Sequence, residues 1–401
     1  MKYAVLVPDG MADYPIEELG GRTPLEVART PNMDFIAKHG RLGRIKTVPD
    51  KMTPASDVAN ISILGYNPQV YYCGRGPLEA ANLGVDLEDD DVAFRCNLIT
   101  VLDDKLADYS AGHISSKEAE ILIKFIDQKL GSKRFRFYPG VSYRHLMVAK
   151  AGARDNLQDV KCTPPHDIMG EKISKHFPKD GNAEILVELM ENSRQVLETH
   201  EINTVRVDLK ENPGNMIWLW GQGKKPSMPK FSERFGVDGA VISAVDLIKG
   251  LGLILGLDAL KVDGATGYYD TDYLGKAKAA LRVLEKKDFV FVHVEAPDEA
   301  GHNAHLREKI TSIERFDHFI AGTILNAYKR KKNFRVLVLP DHATPISVRT
   351  HTRDIVPFGI FGKNVLGRGF VNFSEKEAEN SKLLFEKGHE LMRYFLNYKG
   401  G

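Results

Sequence analysis

The sequence predicts a doubly wound, mostly parallel α/β sheet with a smaller α+β domain inserted into it. Three short apolar runs, residues 4–7, 289–294 and 334–339, each lead into a proline followed by aspartate. Such runs are typical of buried parallel strands that end in a turn. Amphipathic helical patterns, such as residues 275–287, separate the runs, and this alternation of strand and helix indicates a doubly wound sheet.

The length of the chain predicts two domains. It has 401 residues, which is more than one hydrophobic core usually serves. The pattern of apolar, charged and turn-forming residues changes near residue 72 and again near residue 213. We therefore expect residues 1–71 and 214–401 to form a discontinuous larger domain, and residues 72–213 to form the insert.

The composition excludes several classes of protein. Hydrophobic residues make up 43% of the chain and charged residues 27%, and the net charge is +1, so neither a nucleic acid nor a membrane surface is an expected partner. The three cysteines are widely spaced and fit neither a disulfide framework nor a thiolate zinc site. The first apolar run is too short for a signal peptide, and residues 247–257 fall short of the ~18 needed for a membrane span. These features predict a cytoplasmic protein and leave its oligomeric state open.

The first strand and the segment after it supply two candidate site residues. The run at residues 4–7 ends at Pro8, so Asp9 lies at the carboxyl end of the predicted strand. A loop with Pro54 leads into a short apolar helix whose first turn carries Ser56. The Ser56 hydroxyl either caps this helix or lies where backbone N–H groups and the helix dipole favour phosphate. This segment alone favours the cap.

The insert, or middle block, contains stretches in which apolar and polar residues alternate, as they do in antiparallel strands. We predict a strand at residues 92–102, a helix at 117–130, and a hairpin of residues 135–138 and 145–149 with its turn at Pro139-Gly140. The block carries cationic and imidazole groups that are mostly surface residues, although some could form an anion pocket. They are Arg95, His113, Arg144, His145 and Arg206.

Further along, the apolar strand pattern resumes at residues 216–220. The Gly221-x-Gly223 that follows lacks the rest of a nucleotide-binding fingerprint. We predict helices at residues 237–257, 275–287, 309–330 and 381–398, and strands at 289–294 and 334–339.

Three strand ends together predict a metal site. The spacing of Asp298 and His302 places both on one helix face, but alone this pair would more often be a cap and a surface histidine. The ends of parallel strands share one edge of a sheet, where ligands gather. Three aspartates and three histidines at that edge suit two divalent ions, and imidazole argues against magnesium alone. The set comprises Asp9, Asp298, His302, Asp341, His342 and His351. Ser56 adds a hydroxyl that a metal ion could activate for attack on phosphorus.

The same residues carry a resemblance to a known family. The order Asp9-Gly10, Ser56-Asp57, Asp298-x-x-x-His302, Asp341-His342 and His351 resembles the alkaline phosphatase superfamily. Within it, the chain resembles the cofactor-independent (2,3-bisphosphoglycerate-independent) phosphoglycerate mutases of the archaeal type. The match lies in four stretches that begin at Pro54, Phe94, Ser110 and Glu295.

The resemblance implies an alkaline-phosphatase-like fold and a mechanism. Ser56 would take a phosphoryl group from 3-phosphoglycerate as a phosphoserine and return it to the 2-position, an isomerase reaction of glycolysis and gluconeogenesis. One metal would lie on Asp9, Ser56, Asp341 and His342, and the other on Asp298, His302 and His351. Two divalent ions are implied, with Mn²⁺ foremost and Zn²⁺, Co²⁺ or Mg²⁺ as alternatives.

The insert would be the transferase domain that clamps the small phosphorylated substrate. His113, Arg144 and Arg206 are the candidate contacts for its phosphate and carboxylate. The Asp-Gly-Arg-Asp element of the larger bacterial mutases is missing here, and so is the lysine of their Ser-Pro-Lys-Val stretch. Homoserine kinase, or another phosphotransferase on the same two-metal scaffold, therefore remains the alternative function. A catalytically silent relative is disfavoured because all seven metal and nucleophile residues are present.

Overall fold

The computed structural model describes residues 1–398, and the chain divides into two compact units. The first comprises Met1–Tyr72 together with the chain from Met228 onward, and the second comprises Cys73–Ser227. The insert was expected to start at residue 72, and the second unit starts at Cys73. It ends after Ser227 rather than after Pro213, because the strand at Met216–Lys224 pairs within the second unit's sheet.

The first unit is built on an eight-stranded sheet. Its strands are β1 (Lys2–Pro8), β2 (Arg41–Ile45), β8 (Gly239–Ile242), β9 (Asp258–Leu260), β10 (Phe289–Val294), β11 (Phe334–Val338), β12 (Val356–Gly362) and β13 (Leu384–Phe385). Their order is β13-β2-β12-β11-β1-β10-β8-β9. Only the two pairings of β12 are antiparallel among those described. This mostly parallel sheet confirms the predicted fold class.

The central strands β10, β1 and β11 bring three loops to one edge of the sheet. The register pairs Pro8 with Val294 and Leu6 with Val338, so the three strands end side by side. All six residues of β10 are buried, as are the five of β11, because helices cover both faces of the sheet. The residues that follow these strands therefore converge at the carboxyl edge.

Twelve α-helices belong to the first unit's described residues. They are α1 (Pro24–Val27), α2 (Pro31–His39), α3 (Ser56–Ile63), α4 (Pro68–Tyr71), α9 (Phe231–Phe235), α10 (Asp246–Ile254), α11 (Tyr273–Lys286), α12 (Ala296–His302), α13 (Leu306–Arg315), α14 (Gly322–Tyr328), α15 (Glu375–Glu379) and α16 (Leu391–Asn397). A π-helical segment, Phe316–Ala321, joins α13 to α14. Across residues 1–398, no helix has both the length and the apolarity to cross a membrane.

The second unit is an antiparallel sheet packed against helices. Its strands are β3 (Val92–Leu102), β4 (Lys105–Asp108), β5 (Phe135–Val141), β6 (Arg144–Ala149) and β7 (Met216–Lys224). Its helices are α5 (Arg75–Leu83), α6 (Ser116–Leu130), α7 (Ala183–Leu197) and α8 (Glu201–Asp208). The long central strand β3 pairs with β4, β6 and β7. The α+β character expected for the insert is present.

Three secondary-structure predictions were wrong. The helix expected over residues 237–257 is strand β8 followed by α10, because the short run Gly239–Ile242 pairs with both β10 and β9 inside the parallel sheet. The helix expected over residues 381–398 begins only at Leu391, since Leu384–Phe385 pairs with β2. The predicted turn at Pro139-Gly140 lies within β5, and the hairpin turns at residues 142–143.

A buried histidine of the second unit predicts a pH-dependent stability. Burial lowers the pKa of His145 to about 3, so below pH ~6.5 the unfolded chain takes up a proton that the folded chain excludes. Stability is therefore fully present above this pH and falls as the pH falls. Relative to His145→Gln, the wild type should lose about 2–3 kcal/mol between pH 6.5 and 4.5.

Urea unfolding followed by tryptophan fluorescence checks this expectation. Both tryptophans of the chain, Trp218 and Trp220, lie in β7 and so report on the second unit. Equal pH dependence in the two proteins would contradict the assignment of His145 as the titrating group.

Candidate functional site

The three loops at the carboxyl edge carry three aspartates that are buried side by side. Asp9 follows β1, Asp298 lies in the first turn of α12 after β10, and Asp341 follows β11. Gly10 allows their close approach: its φ is +59°, and a Cβ there would lie 2.5 Å from Oδ1 of Asp298. Its N–H donates to Oδ1 of Asp341 at 3.1 Å. The predicted convergence of these three acids is present in the structure.

Ser56 is the first residue of α3 and does not cap it. The N-cap position is Ala55, and no side chain caps this helix end. Oγ of Ser56 instead lies 3.1 Å from Nε2 of His342. Asn60, one turn along, donates to the Ser56 carbonyl and to Oδ2 of Asp341, both at 2.8 Å. The Ser56 hydroxyl is thus held beside the acids, at a helix end that favours negative charge.

The histidine beside Ser56 presents a lone pair to the site. Nδ1 of His342 lies 3.2 Å from Oγ1 of Thr344, whose own proton goes to Oδ1 of Asp298. Nδ1 must therefore carry the proton, and Nε2 is left as an acceptor. That atom lies 3.4 Å from Oδ1 of Asp9 and 3.5 Å from Oδ2 of Asp341.

A second group of ligand atoms surrounds Asp298. Nε2 of His302 lies 3.1 Å from its Oδ2, and Nε2 of His351 lies 3.4 Å from its Oδ1. Nδ1 of His302 is 3.0 Å from the Arg349 carbonyl, which holds a proton on Nδ1 and leaves Nε2 facing Asp298. The two Nε2 atoms are 2.9 Å apart, so both face the same point.

The closely spaced, buried carboxylates of the site favour a bound proton or cation. Burial, together with Asp341 and Asp298, raises the pKa of Asp9 well above its usual range. Burial opposes ionisation of Asp298 as well, but His351 and His302 more than offset it and hold its pKa well below the usual range. Carboxylates this close repel each other strongly unless a proton or a cation lies between them. Asp298 in turn raises the pKa of His302 to about 9 against the effect of burial.

The donor atoms fit divalent cations. Asp298, His342 and His351 offer atoms that all lie within 4.8 Å of one another, and so do Asp9, His293 and Asp341. Oδ1 of Asp9 and Nε2 of His293 are buried without a hydrogen-bond partner among the described residues. Mixed imidazole and carboxylate donors suit Mn²⁺, Zn²⁺ or Co²⁺. The site can hold metal ions next to a serine hydroxyl, which is the arrangement needed for phosphoryl transfer.

Sequence comparison identifies the family. A protein of Methanosarcina mazei described as a 2,3-bisphosphoglycerate-independent phosphoglycerate mutase is 54% identical over 98% of this chain and 98% of its own length. The chain belongs to the 2,3-bisphosphoglycerate-independent phosphoglycerate mutase family. The family's sequence model matches residues 37–203. A bacterial relative from Geobacter sulfurreducens, described as a probable mutase of this kind, is 48% identical over 99% of this chain and 100% of its own length.

Solved structures agree with this membership. A protein of Pyrococcus horikoshii superposes with a TM-score of 0.84 at 32% identity, covering 99% of this chain and 96% of that one. The cofactor-independent phosphoglycerate mutase of Thermoplasma acidophilum superposes with a TM-score of 0.66 at 29% identity, covering 100% of both chains. The fold and family predicted from the sequence are confirmed.

Several residues around this mutase site were missed in the sequence. His293 stands out only as a polar residue inside the apolar strand β10, two positions before Glu295. Asn60 and Thr344 resemble ordinary polar residues, although each bonds to a site aspartate. Lys276 and Lys309 lie in amphipathic helices where lysine usually faces water, yet both are fully buried.

The candidate substrate contacts of the second unit differ from one another. His113 is exposed and Arg144 is half-buried against the Tyr143 ring, so both can reach a ligand. Arg206, also a predicted contact, is only 4% exposed. Its guanidinium is bound by Glu118, Glu211 and two carbonyl oxygens, and it therefore braces the unit's own fold rather than facing a ligand.

Two arginines of the second unit lie against the Trp220 ring, and one of them, Arg75, was not among the contacts predicted from the sequence. The guanidinium groups of Arg75 and Arg95 lie 5.1 and 5.0 Å from the Trp220 ring. Glu79 approaches Nε of Arg95 at 3.5 Å. Burial, and after it the repulsion from Arg75 and Arg144, lowers the pKa of Arg95 although Glu79 opposes this. Such a cluster would favour an anionic ligand, so Arg75 joins Arg144 as a candidate contact.

Proposed function

We propose that this chain interconverts 3-phosphoglycerate and 2-phosphoglycerate through a phosphoserine on Ser56. The observation that carries the proposal is the position of Oγ of Ser56, 3.1 Å from Nε2 of His342 at the start of α3. Relatives across the whole chain are described as mutases of this type. The reaction serves glycolysis and gluconeogenesis, and we place it in the cytoplasm, where the thiols of cysteines outside disulfides, such as Cys73, Cys96 and Cys162, stay reduced.

We propose two metal positions, as the family resemblance implies. Ser56, Asp9, Asp341 and His342 would hold one divalent ion. Asp298, His302 and His351 would hold the other. Bound divalent ions lower the pKa of a hydroxyl and neutralise the charge of a transferring phosphoryl group. Manganese is our choice, because imidazole ligands disfavour Mg²⁺ and the mixed oxygen–nitrogen set accommodates Mn²⁺.

Ser56 and the substrate contacts have separate roles in the reaction. Oγ of Ser56 loses its proton and bonds to phosphorus while the bond from phosphorus to the substrate's 3-oxygen breaks, and that oxygen gains a proton. The released glycerate reorients, and its 2-hydroxyl takes the phosphoryl group back from Ser56 in the reverse process. His113 and Arg144 are the proposed contacts of the substrate's anionic groups, and no external phosphoryl donor is required.

The decisive assay compares two substrates. Purified protein is incubated with 3-phosphoglycerate in the absence of bisphosphoglycerate, and in parallel with homoserine and ATP. Formation of 2-phosphoglycerate is expected. Phosphohomoserine formation without mutase turnover would overturn the proposal in favour of a kinase on the same scaffold.

Removal of metal is expected to abolish turnover. After dialysis against EDTA, activity should fall to background and return on addition of Mn²⁺, because the buried carboxylates then regain their counter-charge. Ca²⁺ prefers all-oxygen sites and is the matched control, which should not restore activity. Full activity in the presence of EDTA would contradict exchangeable metals in this site.

A further inference from the structure

A cavity of about 700 Å³ lies in the first unit, between α9, α16 and the end of α3. Gly65, which lines it, follows the C-terminal end of α3. A Cβ on Gly65 would lie 2.6 Å from the Phe235 ring of α9 and 2.9 Å from Cβ of Met392 in α16, so these three elements meet closely beside the cavity. Its volume is in the range of pockets that hold a small molecule.

The lining of this cavity carries more positive than negative charge. Three guanidinium groups and an imidazole face a single carboxylate among the described residues that line it. Burial, and after it Lys387 and Arg234, lowers the pKa of His389 although Glu390 opposes this. A surplus of guanidinium groups in a pocket favours an anionic ligand, and phosphate in particular. The charged lining residues are Arg41, Arg234, Arg393, His389 and Glu390.

Arg234 is the arginine whose surroundings most clearly lack a counter-charge. Its guanidinium lies 4.8 Å from the centre of the Tyr66 ring and 5.6 Å from that of Phe235. Its Nε is buried, and no described residue accepts a hydrogen bond from it. Neither Arg234 nor Arg393 has a described carboxylate within 4.0 Å. A cation held against two rings without an ion pair is stabilised when an anion binds beside it.

Aromatic rings form the rest of the lining. Phe235 and Tyr394 are half-buried at the cavity. The rings of Tyr394 and Tyr398 are 5.1 Å apart and meet edge to face at 78°, and Nε of Arg41 donates to the Tyr398 hydroxyl at 3.1 Å. Ring faces of this kind bind a planar group by stacking. The cavity therefore combines contacts for phosphate with contacts for a flat ring.

We propose that this cavity binds a nucleotide, with Arg234 and Arg393 holding its phosphates and Phe235 and Tyr394 contacting its base. A nucleoside diphosphate has the two parts that the lining matches, an anionic chain and a planar ring. A small phosphorylated acid such as the mutase substrate has no ring, so it leaves the aromatic part of the lining without a contact.

The cavity lies at the opposite end of α3 from Ser56. Ser56 is the first of the eight residues of this helix, and Gly65 comes two residues after its last. Eight helical residues span about 12 Å, so the length of the helix separates a nucleotide held here from the Ser56 hydroxyl. The proposed site is therefore distinct from the metal centre, and a nucleotide in it is a ligand rather than a phosphoryl donor to Ser56.

Calorimetric titration of the metal-loaded, desalted protein tests the site. ADP, tripolyphosphate and adenosine are titrated separately, and one ADP per chain should bind more tightly than either fragment. Joint replacement Arg234→Gln and Arg393→Gln should weaken ADP binding at least about tenfold, because charge-assisted hydrogen bonds to the phosphates are lost. The matched control is Arg282→Gln, at an exposed position of α11, which should leave the affinity unchanged.

A second measurement uses the wild type alone and so remains decisive if the double variant does not fold. Under ultraviolet light, 8-azido-ADP should label the peptide that contains Tyr394. The site is overturned by absence of ADP binding, by wild-type affinity in the folded double variant, or by labelling confined to other peptides. Tripolyphosphate or adenosine binding as tightly as ADP would overturn the assignment to a nucleotide. None of these readings uses mutase turnover, so failure of the proposed function would leave the site standing.

Discussion

Replacing Ser56 with alanine is expected to abolish mutase turnover and leave the fold unchanged. The loss should be at least about 10⁴-fold, because removal of a nucleophile takes away the covalent step itself. Ser56 is half-buried at the first position of α3 and makes no capping bond, so alanine costs the helix little. Steady-state turnover of 3-phosphoglycerate, measured beside the urea unfolding curve, checks both parts of the expectation.

The control for this variant lies in the same helix. Ser62→Ala removes a buried hydroxyl less than two turns further along α3 and should retain most of the turnover. Wild-type protein quenched in acid during turnover should carry one phosphoryl group on the peptide that contains Ser56. Turnover by Ser56→Ala close to the wild-type rate would contradict the phosphoserine mechanism.

The convergence of the candidate metal ligands was predictable because the three strand ends have the same sequence pattern. Asp9, Asp298 and Asp341 each follow an apolar run closed by a proline. The sequence thus contained both the acids and the parallel strands that align them, and parallel strands must end at a common edge. His302 followed from helical spacing. His342 and His351 followed from their nearness to a strand end, and the structure places all three near Asp298 or Asp341.

The buried residues and strand pairings that position these ligands were not predictable from the sequence. Lys276 and Lys309 have the helical spacing of ordinary surface lysines, and their burial depends on partners 19 and 296 residues away. The apolar pattern of strand β7 is compatible with either sheet. Its pairing with β3 is determined by tertiary contacts rather than by its own sequence. Short apolar runs such as β8 are equally compatible with helix and strand.

Replacing Lys309 with methionine is expected to lower the free energy of unfolding by about 3–5 kcal/mol, because it leaves a buried carboxylate without its partner. Nζ of Lys309 donates to Oδ2 of Asp13 at 2.7 Å and to the Thr344 carbonyl at 2.8 Å. Lysine and aspartate are both buried. Urea unfolding followed by far-ultraviolet circular dichroism measures the loss. Lys286→Met, at an exposed position of α11, should change stability by less than ~0.5 kcal/mol.

The same lysine ties two ligand-bearing loops together, so its loss should weaken metal binding as well. One loop carries Asp9 and Asp13, and the other carries Asp341 and Thr344. A double-mutant cycle separates the ion pair from the loop contact. Adding Asp13→Asn to Lys309→Met should recover about 1–3 kcal/mol of stability, since the unpaired charge disappears. Mn²⁺ affinity should stay low in the double variant, because the bond from Lys309 to the Thr344 carbonyl is still missing. Recovery of metal affinity along with stability would show that the ion pair alone sets the loop geometry.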